Sequence, residues 1–328
     1  MSALIIEETG WRTRVSKLLG TRFPIILGPM RLITLGAMAA EVANCGGLGV
    51  IAASGLSAER LRAEIEIALS QTKGPLAINI PIYRSNALEA LEIAIEMGIK
   101  TIYTSAGNPA NMIKRIRKAG LSMIHKVSNE KTALKAQSAG VDAVVAMGFE
   151  AGGHVGREKI TTMCLIPRLA DILSIPVIAA GGIADARGTA AAFALGADGV
   201  EIGTRFVASA ECPVPDFFKA AVQSADSEAT LLLGKDEMPI RVLKNQVTLE
   251  VSKMMDDKAD KVMARSGEAN YVQDGGDKDT AVMPCGQIAG VVSRSMKIRD
   301  IFSEIISESM RVSQRIQQIL SLDGQEPK

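Results

Sequence analysis

The chain is poor in the residue types that mark several classes of protein. It has two histidines and four cysteines among 328 residues, and no two cysteines form a C-x-x-C pair. That spacing argues against zinc clusters and against a disulfide framework, so we expect no metal site and only small buried thiols. No run approaches the ~18 uncharged apolar residues that a membrane span needs. Glu7 and Glu8 follow the first apolar run, the reverse of a signal peptide, so a cytoplasmic protein without a membrane partner is predicted.

An excess of charge of either sign is also missing. The 37 lysines and arginines nearly balance 36 aspartates and glutamates, which leaves a formal net charge of +1. Because there is no general attraction to phosphate backbones and no basic stretch interleaved with aromatic residues, nucleic-acid binding is not expected. Apolar residues, by contrast, make up 47% of the chain, enough for a substantial core in one large domain or two smaller ones.

Between residues 24 and 203, a short apolar run, a helix-like segment and a glycine recur in that order. The apolar runs do not alternate with polar residues, which is typical of strands buried on both faces of a parallel sheet. Four glycines stand between a helix-like segment and the next run, where a left-handed helix end favours glycine: Gly98, Gly120, Gly140 and Gly196. The runs are PIILG from residue 24, LGVIA from 48, LAINI from 76, KTIYT from 100, LSMIH from 121, DAVVAM from 142, PVIAAG from 176 and DGVEIG from 198.

Eight strands alternating with helices predict an α/β fold, a (β/α)8 TIM barrel, and a doubly wound open sheet is the alternative because periodicity does not show closure. Residues 226–295 are more polar and helix-like, and predict a smaller helical cover domain inserted near the C-terminus. A strongly amphipathic segment then begins at Ile298. We predict a barrel domain of residues 1–225, completed by a C-terminal helix of residues 296–322, and a frayed tail of residues 323–328.

Glycines stand at the ends of the last two predicted strands. AAGGIAD contains Gly181 and Gly182, and EIGTRF contains Gly203 and Thr204. Glycine lets backbone N–H groups close around an anion, and a helix beginning near Asp185 would add its dipole. In barrels the loops after strands seven and eight often hold a phosphate, so this pattern predicts a phosphate of a substrate or of FMN.

His154 lies in the glycine-rich stretch GFEAGGHVG, residues 148–156. Flanking glycines remove side chains that would keep out a planar ligand, and an imidazole exchanges protons near neutral pH, so His154 is the candidate catalytic residue. A purely structural role is the alternative. Lys126 offers a cation to a flavin pyrimidine ring or a substrate enolate, unless it points into water. Asn79 is either a ligand contact or a core amide, and His125, inside an apolar run, is predicted to be a core group.

Four motifs together resemble the family of nitronate monooxygenases and enoyl-ACP reductases II, FMN-dependent flavoenzymes formerly grouped as 2-nitropropane dioxygenases. They are GFEAGGHVG from residue 148, PVIAAGGIADARG from 176, LGADGVEIGTRFVAS from 195 and CGGLGVI from 45. The resemblance implies a (β/α)8 barrel with a cover domain, bound FMN, small-molecule substrates and a possible homodimer. Since no G-x-G-x-x-G marks a separate dinucleotide domain, NADH or NADPH is expected as a transient co-substrate.

The same resemblance gives residues their expected roles. Gly182, Gly203 and Thr204 match the phosphate-binding loops, Gly153 matches the backbone beside the flavin ring, and His154 matches the active-site histidine. Positions that line the ring are matched by Met30, Asn79 and Lys126. With Gly28 and Gly181 from the strand ends, the predicted FMN-binding set is Gly28, Met30, Asn79, Lys126, Gly153, Gly181, Gly182, Gly203 and Thr204.

The motifs point to more than one branch of the family. RVLKNQ from residue 241, VMPCGQIAG from 282 and the GGHVG form favour the enoyl reductases. GPM from residue 28 and IHKVS from 124 favour the monooxygenases and related NADH:quinone reductases. We predict an FMN-dependent, NAD(P)H-linked oxidoreductase acting on an enoyl thioester. The alternatives are a nitronate monooxygenase that uses O2, an NADH:quinone reductase and, more remotely, a non-catalytic FMN- or phosphate-binding barrel.

Overall fold

The computed structural model describes residues 10–234, 239–254, 270–272 and 276–321. Its larger sheet has eight parallel strands, and each falls on one of the eight apolar runs. These strands are β1 (Ile25–Leu27), β2 (Gly49–Ala52), β3 (Leu76–Pro81), β4 (Thr101–Ser105), β5 (Ser122–Val127), β6 (Ala143–Met147), β8 (Val177–Ala180) and β9 (Gly199–Ile202), while β7 (Gly153–His154) belongs to a second sheet.

The larger sheet closes on itself. Its strand order is β1-β9-β8-β6-β5-β4-β3-β2, and its two ends meet where Ile26 bridges Leu48 in parallel. The Leu48 amide donates to the carbonyl oxygen of Ile25 at 2.9 Å across this seam. The predicted (β/α)8 barrel is therefore confirmed, and the open-sheet alternative is wrong.

Helices cover the outside of the barrel, and several begin at the polar caps that the sequence favours. Ser57 accepts a hydrogen bond from Arg60 N at the start of α3 (Ala58–Gln71), and Asn129 accepts one from Thr132 N at the start of α6 (Glu130–Ala139). The four glycines predicted before strands all have positive φ, between 69° and 96°. The helices up to this point are α1 (Arg14–Leu19), α2 (Gly36–Asn44), α3 (Ala58–Gln71), α4 (Ala87–Glu96), α5 (Ala110–Lys118), α6 (Glu130–Ala139), α7 (Thr162–Ile172), α8 (Ala186–Ala194), α9 (Thr204–Val207) and α10 (Asp216–Gln223).

The described part of residues 226–295, called the covering segment below, combines a helix with a small antiparallel sheet over the barrel mouth. Strands β10 (Thr230–Leu233) and β11 (Ile240–Leu243) pair with each other, and β11 also pairs with β7. Helix α11 (Gln246–Ser252) follows, capped by Asn245. The sequence interpretation expected helix here and missed the sheet, because β7 is only two residues long and comes from the glycine-rich stretch of the barrel.

The predicted amphipathic segment forms one long helix, α12 (Ile298–Leu320), which packs back on α2 and α8 of the barrel. Its first half buries Ile301, Phe302 and Ile305. The Phe302 ring stacks on Phe206 with 6.1 Å between ring centroids. This helix therefore ties the end of the chain to the barrel core.

The four cysteines differ in how far they are buried. Cys212 and Cys285 are buried, and burial raises the pKa of their thiols to about 11 and about 12. Cys45 is half-buried, and Cys164 is exposed on α7, so the prediction of buried thiols is wrong for Cys164.

Every helix among the described residues is too short or too polar to cross a lipid bilayer. The predicted tail of residues 323–328 lies outside the described residues.

Candidate functional site

A cavity of about 1300 Å³ opens at the carboxyl ends of the barrel strands. Its walls combine barrel residues with residues of the covering segment, including Ile240, Pro284 and Gly286. It exceeds the usual ~300–1,000 Å³ of small-molecule pockets, so it has room for a cofactor together with a substrate. All ten predicted site residues line it: Gly28, Met30, Asn79, Lys126, Gly153, His154, Gly181, Gly182, Gly203 and Thr204.

The loops after β8 and β9 leave space next to their backbone. Gly181 and Gly182 adopt positive φ of 92° and 73°. A Cβ on Gly182 would lie 3.5 Å from the Glu150 side chain, and one on Gly203 would lie 3.8 Å from Met30 Sδ, so neither would clash, and both glycines line the cavity. A phosphate group fits against such bare backbone, and a branched side chain at either glycine would occupy its space.

The helix that follows Gly182 begins with a side-chain cap. Asp185 caps α8, and its carboxylate accepts hydrogen bonds from Arg187 N at 2.9 Å and Gly188 N at 3.2 Å. These two N–H groups are satisfied by the chain's own carboxylate and are not free to bind an anion. The contribution of the helix dipole to the cradle stays a prediction.

Three side chains meet in the barrel interior, and two of them, Lys126 and Glu201, line the floor of the cavity. Lys126 Nζ on β5 contacts Glu201 Oε1 on β9 at 2.7 Å. The other carboxylate oxygen accepts a short hydrogen bond from the hydroxyl of Tyr103 on β4. Lys126 Nζ also lies 5.4 Å from the centroid of the Tyr103 ring. Lys126 thus does not point into bulk water, and its positive charge has a buried partner.

Asn79 and His125 show two outcomes for polar residues within apolar strands. The Asn79 side chain is buried, lines the cavity and donates through Nδ2 to the carbonyl oxygen of Tyr103 at 3.1 Å. It is therefore a core amide that also lines the cavity, and its contact with a ligand stays a prediction. His125 is 3% exposed, and its Nδ1 contacts Thr104 Oγ1 at 2.8 Å. Burial lowers the pKa of His125 to about 4, which confirms the predicted core role.

His154 reaches the cavity from the small sheet. Its backbone lies opposite Ile240 in the β7–β11 register, so the covering segment holds it in place. The side chain is exposed to the cavity. Nearby protein atoms partly remove the ring from water, and Arg84 adds positive charge, so the pKa of His154 is lowered from its ordinary value. Both effects favour the neutral form of the imidazole.

The glycines around His154 mainly serve packing. A Cβ on Gly148 would lie 2.0 Å from Thr162 Oγ1, and one on Gly152 would lie 2.6 Å from the Cys285 carbonyl carbon. Only Gly153 faces open space, with its nearest neighbour 4.0 Å away. The expectation that these glycines admit a planar ligand therefore applies to Gly153 and is wrong for Gly148 and Gly152.

Residues of the covering segment join the site through backbone hydrogen bonds. Gly286 N donates to Thr204 Oγ1 at 3.0 Å, and Gln287 N donates to the carbonyl oxygen of Glu150 at 2.9 Å. The Glu150 carboxylate accepts from Thr162 N at 2.9 Å, at the start of α7. These bonds connect the loops after β6 and β9 with the segment that covers them.

Sequence reasoning missed the partners of the predicted residues. Glu201 and Tyr103 received no role, although a charged residue inside the buried run DGVEIG is a signal, because a buried carboxylate requires a partner. Glu150 lies in the quoted glycine-rich stretch and was also passed over. Among the described residues, no group of three or more His, Cys, Asp or Glu side chains is placed to hold a metal ion.

Comparison with known proteins identifies relatives along most of the chain. The nitronate monooxygenase family model matches residues 12–308. A Mycobacterium tuberculosis protein named (3aS,4S,5R,7aS)-5-hydroxy-7a-methyl-1-oxo-octahydro-1H-indene-4-carboxyl-CoA dehydrogenase is 33% identical over 240 residues, which cover 72% of this chain and 67% of that protein. A Staphylococcus saprophyticus protein named probable nitronate monooxygenase is 31% identical, covering 71% of this chain and 79% of that protein. The structure of FabK from Thermotoga maritima superposes with a TM-score of 0.90 at 33% identity, covering 94% of this chain and 100% of FabK.

Proposed function

Because the chain belongs to the nitronate monooxygenase family, and is thus an oxidoreductase, we propose that it binds FMN and uses NADH or NADPH to reduce an enoyl thioester. The observation that carries this proposal is the form of the cavity. One part is bounded by bare glycine backbone, and an exposed imidazole reaches another part. Such a site suits a phosphorylated planar cofactor with space beside it for a second molecule.

The preference for a thioester rests on two relatives. FabK matches nearly the whole chain with a TM-score of 0.90. The Mycobacterium tuberculosis relative is named as the dehydrogenase of a CoA thioester. Each is 33% identical to this chain over the aligned residues, which supports a related substrate class.

The residues that line the cavity divide the work of holding FMN. Gly181, Gly182, Gly203 and Thr204 would hold the phosphate, since all four line the cavity where the last two barrel strands end. Met30, Asn79 and Lys126 would border the ring, and Gly153 would leave room on the side of His154. When bound, FMN supplies the hydride-transfer chemistry that no amino-acid side chain offers.

His154 would act on the substrate as a neutral imidazole. In the reductase, its N–H would donate a hydrogen bond to the thioester carbonyl oxygen, where negative charge develops during reduction. Its place opposite Ile240 ties this role to the covering segment, which would keep bulk water from the reacting atoms.

A nitronate monooxygenase is the second candidate, and a neutral His154 would also suit it. A neutral imidazole nitrogen accepts a proton at pH 7, so His154 suits removal of a proton from a carbon next to a nitro group. The Staphylococcus saprophyticus relative carries this activity in its name. An NADH:quinone reductase and a non-catalytic barrel remain weaker alternatives.

Anaerobic absorption spectra of the purified protein separate these functions. For the proposed enzyme we expect bound flavin, bleaching by NADH or NADPH, and recovery of colour on addition of crotonyl-CoA. Rapid bleaching by an alkyl nitronate without bleaching by NAD(P)H would instead assign the monooxygenase. Recovery by a quinone but not by the thioester would assign the quinone reductase, and a colourless protein would exclude FMN.

Three further sequence predictions stay proposals. They are the division into a barrel domain (residues 1–225, with the helix of residues 296–322) and a cover domain (residues 226–295), the homodimer, and the cytoplasmic location. Size-exclusion chromatography with light scattering tests the second of them.

A further inference from the structure

The floor of the cavity carries an ion pair that the proposed chemistry does not by itself require. Lys126 and Glu201 contact each other at 2.7 Å, with 16% and 6% of their side chains exposed. Tyr103 is fully buried, and its hydroxyl donates a hydrogen bond to the second carboxylate oxygen of Glu201. Removing a carboxylate from water is costly, and the hydrogen bonds from Lys126 and Tyr103 offset part of that cost.

The topology makes this cluster a bridge across the barrel. In the closed strand order, β9 and β4 lie on opposite sides, and β5 is separated from β9 by β6 and β8. Glu201 therefore reaches through the barrel interior to meet both partners. Because Lys126 and Glu201 both line the cavity, the bridge faces whatever binds there.

The pairing decides how much positive charge the floor presents. An isolated Lys126 ammonium would attract negative charge in the cavity, and at a distance of a few ångströms in a partly dry site that attraction is strong. Glu201 places an opposite charge next to it, so the pair is neutral as a whole. Tyr103 fixes the carboxylate and remains a neutral donor, because burial and the adjacent carboxylate raise its pKa well above the ordinary value.

We propose that Glu201 is a positioning residue that holds the Lys126 ammonium at the cavity floor and, by neutralising it, lowers the reduction potential of bound FMN. This inference rests on the proposed function, because it requires FMN in the cavity. Reduction brings electrons, and thus negative charge, to the cofactor, so positive charge beside it favours the reduced form. A more negative potential makes the reduced cofactor a stronger donor of hydride to an acceptor.

The test is the midpoint potential of bound FMN in a set of charge variants. Glu201→Gln keeps the shape of the side chain and an acceptor for Tyr103 but leaves Lys126 unneutralised. At a fixed poise, we expect the ratio of reduced to oxidised FMN to rise at least tenfold, a shift of about +30 mV for a two-electron couple. Lys126→Met should shift the potential in the negative direction. The double variant, in which neutral side chains replace both charges, should return close to the wild-type value.

Glu158→Gln is the matched control. Glu158 lines the same cavity but is exposed and accepts a hydrogen bond from Asn129 Nδ2 at 2.8 Å, so the variant makes the same change in net charge at a carboxylate bonded to Asn129 instead of Lys126. The proposal is overturned if Glu201→Gln shifts the midpoint potential no more than Glu158→Gln does. It is also overturned if the midpoint potential of the double variant equals that of either single variant instead of returning to the wild-type value. If Glu201→Gln fails to fold, Lys126→Met and the double variant still give the comparison.

The flavin content of each preparation separates the two levels of inference. Wild-type protein that binds no FMN contradicts the proposed function itself. Protein that binds stoichiometric FMN, with one potential throughout the series, contradicts only the role of Glu201.

Discussion

His125 makes the stability of the fold depend on pH in a calculable way. It is one of only two histidines in the chain, and burial lowers its pKa from 6.5 to about 4. The unfolded chain therefore binds a proton at pH values where the folded protein does not. Stability from this residue is fully present above pH 6.5 and is lost as the pH falls towards about 4.

The size of the loss follows from the two pKa values. With 6.5 in the unfolded chain and about 4 in the folded protein, lowering the pH from ~7.5 to ~5 costs about 2 kcal/mol. The unfolding entropy is about 2.1 cal/mol/K per residue, taken over 328 residues. Dividing the lost free energy of unfolding by this entropy gives a decrease of roughly 3 °C in Tm. Replacement by glutamine keeps a polar partner for Thr104 but cannot titrate.

Thermal unfolding of wild type and His125→Gln at both pH values, with FMN either saturating or absent throughout, measures this effect. We expect the wild type to lose about 3 °C more than the variant between the two pH values, because carboxylates titrate equally in both proteins. His154→Gln serves as the control and should retain most of the wild-type difference. An equal loss in wild type and His125→Gln refutes the reasoning, as does an NMR signal of His125 that titrates near pH 6.5.

Three further variants address the site. Gly182→Val should release FMN, because the branched side chain would enter the cavity from a backbone with φ of 73°. The ratio of flavin absorbance to protein concentration measures this release. Stoichiometric FMN in the variant would place the phosphate elsewhere. His154→Ala should retain FMN but lose ~10²-fold or more in turnover, whereas near-normal kcat would make the imidazole a scaffold residue. Gly152→Ala should destabilise the fold by about 1–3 kcal/mol in chemical denaturation, because its Cβ would lie 2.6 Å from Cys285 backbone. Gly188→Ala, with its nearest atom at 3.4 Å, is the matched substitution and should cost much less.

The barrel strands were predictable because each apolar run carries its own information. A run such as DAVVAM is buried on both faces wherever it lies in the sheet, and a glycine with positive φ ends the helix before it. Closure was not predictable in this way. It depends on the pairing of Ile26 with Leu48, between the first and second strands, and neither residue differs in type from the rest of its run.

The small sheet shows the opposite limit. Strand β7 has two residues, Gly153 and His154, and becomes a strand only because β11 lies beside it. Periodicity cannot reveal a strand that short, so the sequence showed His154 only within a glycine-rich stretch. The structure places its backbone in a sheet with Ile240, and a side chain held at one end of a paired strand is better fixed than one on a free loop.

The glycines of residues 148–156 show why a motif can point to the right place for a partly wrong reason. Bare backbone suggested access for a ligand, but Gly148 and Gly152 are closed off by Thr162 and by the Cys285 backbone, and only Gly153 borders open space. Sequence records that a side chain is absent, but it does not record what fills the gap. In this protein most of the gaps are filled by α7 and by the covering segment, so the same glycines that bring these elements together also form the wall from which His154 reaches the cavity.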